Sequence, residues 1–382
     1  MTDWRSLVVP GVRELDPLDV DATVAQVRAL RRHEQALKLD WNENLFGPLP
    51  GVLDAVANEL ANASFYPIEA YGDFRAEVGR HVETDPQRIV PGHGIQALIG
   101  TVASALLRPG DSVVLPAVTF YLYRVVSAAR GAVVHTVPMR GYGLDLEALA
   151  ATAREVEARL VWICDPNNPT GTVLSPPEWE AFLSALPSGC VAVVDEAYAD
   201  FLPPERRHRR EQDVEEGRPV VVLRSFSKFY GLAGMRLGYA IADGALARSL
   251  AVVEEPFNVN GPALAAGRAS LRAVEAAAAR RHEIAEARDL LAQGLREAGA
   301  EPLPSEVGFV LAPVDADDVL LARKLSDAGI LVRPGSELGL AGHVRIAVGP
   351  PALMERVTAA LGRALPARRD AIEPALEEGA SS

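Results

Sequence analysis

The chain reads as an α/β protein: a large domain with a mostly parallel sheet flanked by helices, joined to a smaller α+β domain. Three observations predict this. From about Gly51 to Asp243, short β-branched runs alternate with segments of helical spacing. Beyond Gly261 an alanine- and arginine-rich helical tract gives way to short strands and a last helix. At 382 residues the chain is also longer than a usual single domain. The expected division is an N-terminal arm or helix over 1–40, a large domain over 41–260, a small domain over 261–368 and a frayed tail over 369–382.

Each element has its own signal. Asp21 to His33 carries amphipathic helical spacing, and Leu39 to Pro48 is too rich in turn formers for a regular helix. Strands are expected at Ser112–Leu115, Ala132–Val137, Leu160–Cys164, Cys190–Val194, Val220–Leu223 and Arg236–Ile241. Helices are expected between them, among them Ile95–Leu107, Glu178–Leu186 and Gly244–Val253. The charged stretch Pro203–Gly217 reads as a surface loop. The helical tract runs to about Gly299, with later strands near Gly308–Leu311, Ile330–Arg333 and Val344–Ala347 and a final helix near Pro351–Leu365.

Composition narrows the function. Hydrophobic content of 49% with 23% charged residues describes a globular chain with ample core. A formal charge of −13 argues against nucleic acid as a partner, because phosphate neutralisation needs a basic face. No apolar run is long enough to cross a bilayer, so no membrane partner is expected. The opening residues, Met1 to Arg5, lack a basic region followed by an apolar stretch, and the cytoplasm is the expected location. Cys164 and Cys190 sit in apolar runs and read as small core residues; no metal site is expected.

Four motifs fall just past the carboxyl ends of strands, where open α/β sheets bind ligands. Of the 38 basic residues only Lys38, Lys228 and Lys324 are lysine. Lys228 lies in Ser225-Phe226-Ser227-Lys228, before a glycine-rich turn that leads to Arg236. It is either a solvated turn lysine or a nucleophile, since an ammonium group can deprotonate and form a Schiff base where a guanidinium cannot. Gly92-His93-Gly94-Ile95-Gln96 opens a helix and is either a plain turn or a phosphate cradle of backbone N–H groups. Asp165-Pro166-Asn167-Asn168-Pro169-Thr170-Gly171 is a good turn, or places the Asn168 amide at the sheet edge. Asp195-Glu196-Ala197-Tyr198 ends an apolar strand; Asp195 is a helix cap, or a buried acid that needs a cation.

Taken together, these motifs resemble the fold-type I pyridoxal-phosphate aminotransferases, and within them the histidinol-phosphate aminotransferase group. The likeness spans about Leu39 to Leu365. It rests on N-E-N-x-x-G-P (Asn42–Pro48), N-N-P-T-G, D-E-A-Y, S-x-S-K-x-x-x-L-A-G-x-R-x-G-Y and the pair Gly329–Arg333 and Val344–Ile346. The resemblance implies that 41–260 binds pyridoxal 5'-phosphate, with Lys228 in the Schiff base and Asp195 on the pyridine nitrogen. Asn168 and Tyr198 would bond the phenolic oxygen, and Ser225, Ser227, Arg236 and the backbone near Gly94, Ile95 and Gln96 would grip the phosphate. Phe120 falls where the family stacks a tyrosine on the ring. Tyr66 matches a residue that reaches the neighbouring subunit's cofactor, which implies a homodimer with shared sites. Arg345 matches the arginine that forks onto a substrate carboxylate, with Arg333 a second cation and Asn42 also at the substrate. Gly308 stands where the family usually has asparagine.

The expected reaction is ping-pong amino transfer between an amino donor and a 2-oxo acid, with Lys228, Asp195 and Tyr198 as the catalytic set. Histidinol phosphate with 2-oxoglutarate and glutamate is the pairing that the subgroup implies. An aromatic or other amino-acid aminotransferase is the alternative, followed by a decarboxylase of a phosphorylated amino acid. A ligand-sensing regulator would need a DNA-binding module, for which the roughly 40 residues before the first motif are too few and too little basic.

Overall fold

The computed structural model describes residues 3–13, 15 and 20–365; the tail expected at 369–382 lies outside them. The strands are β1 (Leu37–Lys38), β2 (Ile89–Gly92), β3 (Ser112–Pro116), β4 (Val133–Val137), β5 (Leu160–Cys164) and β6 (Val191–Asp195). They continue as β7 (Val220–Ser225), β8 (Gly238–Ile241), β9 (Phe309–Pro313), β10 (Ile330–Leu331), β11 (Arg333–Pro334) and β12 (His343–Ala347). Seven of them form one sheet in the order β2-β8-β7-β6-β5-β3-β4. All its pairings are parallel except those of β8, which runs against both neighbours.

Helices cover both faces, so the central strands read as unbroken apolar runs instead of alternating ones. On one face Leu98, Val102, Tyr123 and Leu250 pack against Trp162, Val193 and Val221. On the other, Phe74, Leu149, Trp179 and Phe182 pack against Ile163, Val194 and Val222. Each fully buried Val, Leu, Ile or Phe contributes about 1.5–3 kcal/mol. Helix Pro176–Ala185 starts where it does because Ser175 and Glu178 cap each other reciprocally and Pro176 suits the first turn.

The C-terminal part holds an antiparallel sheet in the order β11-β12-β9. Helix Gly261–Arg272 packs on helices Val52–Glu59 and Ile68–Val82, whereas Val274–Glu297 packs on the last helix, Pro351–Ala364. Residues 37–39 are woven into this part of the chain: Leu37 pairs with Ile330, and Leu39 accepts a backbone bond from Ala347.

Two expectations need correction. The run Ile330–Arg333 is not one strand; Val332 separates two short pieces that enter different sheets. The stretch Pro203–Gly217 is not merely a surface loop. It contains helix Arg210–Glu215, in which Arg210, Glu211, Asp213 and Val214 are buried. Charges from distant segments meet them there, and such pairing is what allows charged side chains inside.

Candidate active site

The reversed direction of β8 builds the site. Its amino end lies at the same sheet edge as the carboxyl ends of its neighbours, with Gly238 opposite both Gly92 and Ser225. Arg236, two residues earlier, is thereby delivered to the start of helix Gly94–Leu106. That helix has no side-chain cap, so its first N–H groups are left for an anion. Gly94 has φ +76°, and a Cβ there would come within 2.7 Å of the Arg236 guanidinium. Gly238 is equally obligatory, because its Cβ would stand 3.0 Å from the Ile95 nitrogen.

Arg236 donates to Gln96 Oε1 (3.2 Å), Ser227 Oγ (3.4 Å) and the Ala233 carbonyl (3.2 Å). Ser227 N donates in turn to Ser225 Oγ at 3.0 Å. The phosphate set expected from the sequence therefore converges: Gly94, Ile95, Gln96, Ser225, Ser227 and Arg236.

Asp195 ends β6 and is only 3% exposed. It accepts from Tyr123 Oη at 2.8 Å and from Ala197 N at 2.9 Å. Burial pushes its carboxyl up to about 6, against the pull of those two donors. Tyr123 was not anticipated: it lies in helix Leu122–Ala129 among apolar neighbours, and only the fold aims its hydroxyl at Asp195. Phe120 packs edge-on against Tyr123, with ring centroids 5.6 Å apart.

The N-E-N segment closes the site from the other side. Lys228 Nζ donates to the Trp41 carbonyl at 2.7 Å. Asn42, in a left-handed conformation at φ 54°, donates to Tyr198 Oη at 3.0 Å. Asn44 donates to the Phe229 carbonyl at 2.7 Å, which ties the segment to the lysine loop. Burial, followed by the cations Arg345, Lys38 and Arg236, lowers Lys228 to about 8 although Glu43 opposes this.

Arg345, 5% exposed, donates to Asn168 Oδ1 at 2.6 Å and to the Asp40 carbonyl. Arg333 faces it in register across β11 and β12 and pairs with Glu337 at 3.0 Å. Burial lowers Arg345 to about 10. Among the described residues neither Arg345 nor Arg236 is ion-paired with a carboxylate, and Arg345 Nε and Asn42 Oδ1 are buried without a hydrogen-bond partner.

Tyr66 stands apart. It is 77% exposed, and its ring packs against Phe257 at 5.6 Å. Gly308 also has a local reason, since a Cβ there would meet the Phe201 ring at 2.5 Å.

A pyridoxal-phosphate group suits these residues. The uncapped helix start and Arg236 match a phosphate, and the buried Asp195, which has no ion-pair partner among the described residues, suits a protonated pyridine nitrogen. Fold and site together define a fold-type I pyridoxal-phosphate enzyme. The family model for aminotransferase class I and II matches residues 34–361, and the chain belongs to that family.

Its relatives include aromatic amino acid aminotransferases and histidinol-phosphate aminotransferases. An aromatic amino acid aminotransferase of Rhodococcus jostii is 39% identical over 83% of this chain and 87% of its own length. A histidinol-phosphate aminotransferase of Symbiobacterium thermophilum is 35% identical over 94% and 99%. The crystal structure of histidinol-phosphate aminotransferase from Sinorhizobium meliloti in complex with pyridoxal-5'-phosphate superposes with a TM-score of 0.85. It is 28% identical and covers 93% of this chain and 96% of that one. The protein is a pyridoxal-phosphate-dependent aminotransferase acting on amino and oxo acids.

Proposed function

We propose that the chain transfers the amino group of histidinol phosphate to 2-oxoglutarate and back, in two half-reactions at one site. The observation that carries this is the pair Arg345 and Arg333, in register on adjacent strands. One is a buried cation with no carboxylate partner among the described residues, and guanidinium forks onto carboxylate or phosphate alike. A shared anion grip suits a donor that bears phosphate and an acceptor that bears carboxylate.

Pyridoxal 5'-phosphate, when bound, supplies an electron-poor ring that draws density from the substrate's α-carbon. Lys228 would hold it covalently, Asp195 would pair with its ring nitrogen, and Phe120 would stack on it. Asn168 and Tyr198 would bond its phenolic oxygen, and Gly94, Ile95, Gln96, Ser225, Ser227 and Arg236 would bind its phosphate. The Lys228 amine, neutral above about pH 8, takes the proton at the substrate's α-carbon. Asn42, with its unpartnered Oδ1, faces the substrate and orients Tyr198.

The site is completed by a second copy in this reading. Phe65, Tyr66 and Ile68 are exposed beside an open groove of about 730 Å³ that Phe257 and Arg268 also line. Such a patch suits a twofold interface through which Tyr66 reaches the partner's phosphate. The cytoplasm is the proposed compartment; both cysteines are free thiols, and no described helix is long and apolar enough to cross a membrane.

A second reading, transfer from aromatic amino acids, is favoured by the Rhodococcus jostii relative. The deciding assay follows glutamate formation from 2-oxoglutarate with histidinol phosphate, phenylalanine, tyrosine and tryptophan as donors. A kcat/KM at least about tenfold higher for histidinol phosphate supports the proposal. Preference for an aromatic amino acid establishes the second reading, and turnover with carbon dioxide release but no need for 2-oxoglutarate overturns both.

A further inference from the structure

One ladder step beyond Asp195, three charged residues stand side by side. Cys164 pairs with Asp195, and Asp195 with Leu223. Their successors Asp165, Glu196 and Arg224 continue the row, linked by bonds from Asp165 N to the Asp195 carbonyl and from Glu196 N to the Leu223 carbonyl. Side chains alternate along a strand, so this row faces the side of the sheet opposite Asp195.

Arg210 enters the row from its short helix. It donates to Glu196 Oε1 at 2.7 Å and to Asp165 Oδ2, and its guanidinium lies 4.4 Å from the Trp179 ring. Arg224 donates to Glu196 Oε2 at 2.8 Å and to Glu211 Oε2 at 3.1 Å. All five residues are at most 5% exposed. Well-packed apolar side chains often stabilise such a space as well or better. What the ions add is direction, because each bond fixes one segment against another.

The segments so fixed carry the site. Asp165 precedes Asn168 by three residues, Glu196 directly follows Asp195, and Arg224 directly precedes Ser225. We propose that Arg210 is a positioning residue, whose fork locks the Asn168 loop to the Asp195–Tyr198 loop and so sets the spacing of the cofactor groups from behind. It acts through Asp165 and Glu196, and it rests on the assignment of Asn168 and Asp195 to the cofactor.

The test compares Arg210→Met and Arg210→Lys with Arg218→Met. Arg218 pairs with Glu180 and with Asp213 of the Arg210 helix, and not with Asp165, Glu196 or Glu211. Each variant is titrated with pyridoxal 5'-phosphate by absorbance, and its melting temperature is taken without the cofactor. Arg210→Met should weaken cofactor binding about tenfold and shift the bound absorption maximum, a loss of the size seen when groups behind a bound ion's ligands are removed. Arg210→Lys should recover part of this, since an ammonium can pair with one carboxylate but not bridge two. Arg218→Met should keep affinity within about twofold. Arg210 variants that melt lower yet bind with unchanged affinity and spectrum overturn the proposal. If Arg210→Met does not fold, Asp165→Asn undergoes the same titration with the same two outcomes. A Lys228→Ala control separates the readings: should it retain the wild-type bound spectrum, the cofactor assignment itself fails.

Discussion

Lys228 Nζ rests 2.7 Å from the carbonyl oxygen of Trp41, the residue before Asn42. A neutral oxygen is a weak partner for an ammonium, and burial most of all, then Arg345, Lys38 and Arg236, disfavours the charged form. The amine is thus held by the N-E-N segment and already inclined to lose its proton.

The reactivity of Lys228 should follow from this. Reconstitution of the cofactor-free protein with pyridoxal 5'-phosphate should speed up as pH rises, with its midpoint near 8. An ordinary lysine would place it near about 10.4. Stopped-flow absorbance from pH 6 to 10.5 measures it, and a midpoint close to the ordinary value would exclude the tuned amine. Arg345→Gln removes the largest neighbouring cation and should move the midpoint upward.

Asp195 carries a conflict between stability and binding. Its carboxyl is raised from 3.8 to about 6, so the folded, cofactor-free protein binds more protons than the unfolded chain between those values. Stability from this group is present below about pH 4 and lost as pH rises through about 6, by at most about 3 kcal/mol at 1.36 kcal/mol per unit. Asp195→Asn should remove that slope, melt higher than wild type at pH 7–8, and bind the cofactor at least about tenfold more weakly. Melting curves at several pH values check the first part and cofactor titration the second; an unchanged slope contradicts the assignment.

Arg345→Gln should raise KM for glutamate by roughly 10- to 100-fold, the cost of a lost charge-assisted fork, and leave cofactor affinity close to wild type. Since Arg345 is buried without an ion pair among the described residues, stability should scarcely fall. Initial-rate kinetics decide this, and an unaltered KM removes Arg345 from the substrate site.

Tyr66 tests the shared site by complementation. Lys228→Ala and Tyr66→Ala should each be impaired, while a mixture allowed to exchange subunits should regain about a quarter of the native sites. That fraction follows because half the dimers are hybrid and each hybrid has one intact site. Failure to regain activity, with exchange verified by mass, would confine Tyr66 to its own chain.

The central sheet was legible because burial on both faces leaves unbroken apolar runs; Leu160–Cys164 came out with the same bounds in sequence and structure. β2 was hidden, being four residues long with Pro91 inside it. In the site, Lys228, Asp195, Asn168 and Arg236 carry motif spacing, and the fold gathers them at one edge. Tyr123 carries no such spacing, and its partner Asp195 lies 72 residues away. Arg210 was missed for a related reason: a dense run of charge gives no sign that one member meets Asp165, 45 residues away, inside the protein.

The most direct measurement is borohydride reduction of the cofactor-loaded protein followed by peptide mass mapping. With only Lys38, Lys228 and Lys324 to choose from, the phosphopyridoxyl mass should appear on the peptide that contains Lys228 and vanish in Lys228→Ala. A label on Lys38 or Lys324 instead, or none on any lysine, would contradict the covalent role of Lys228.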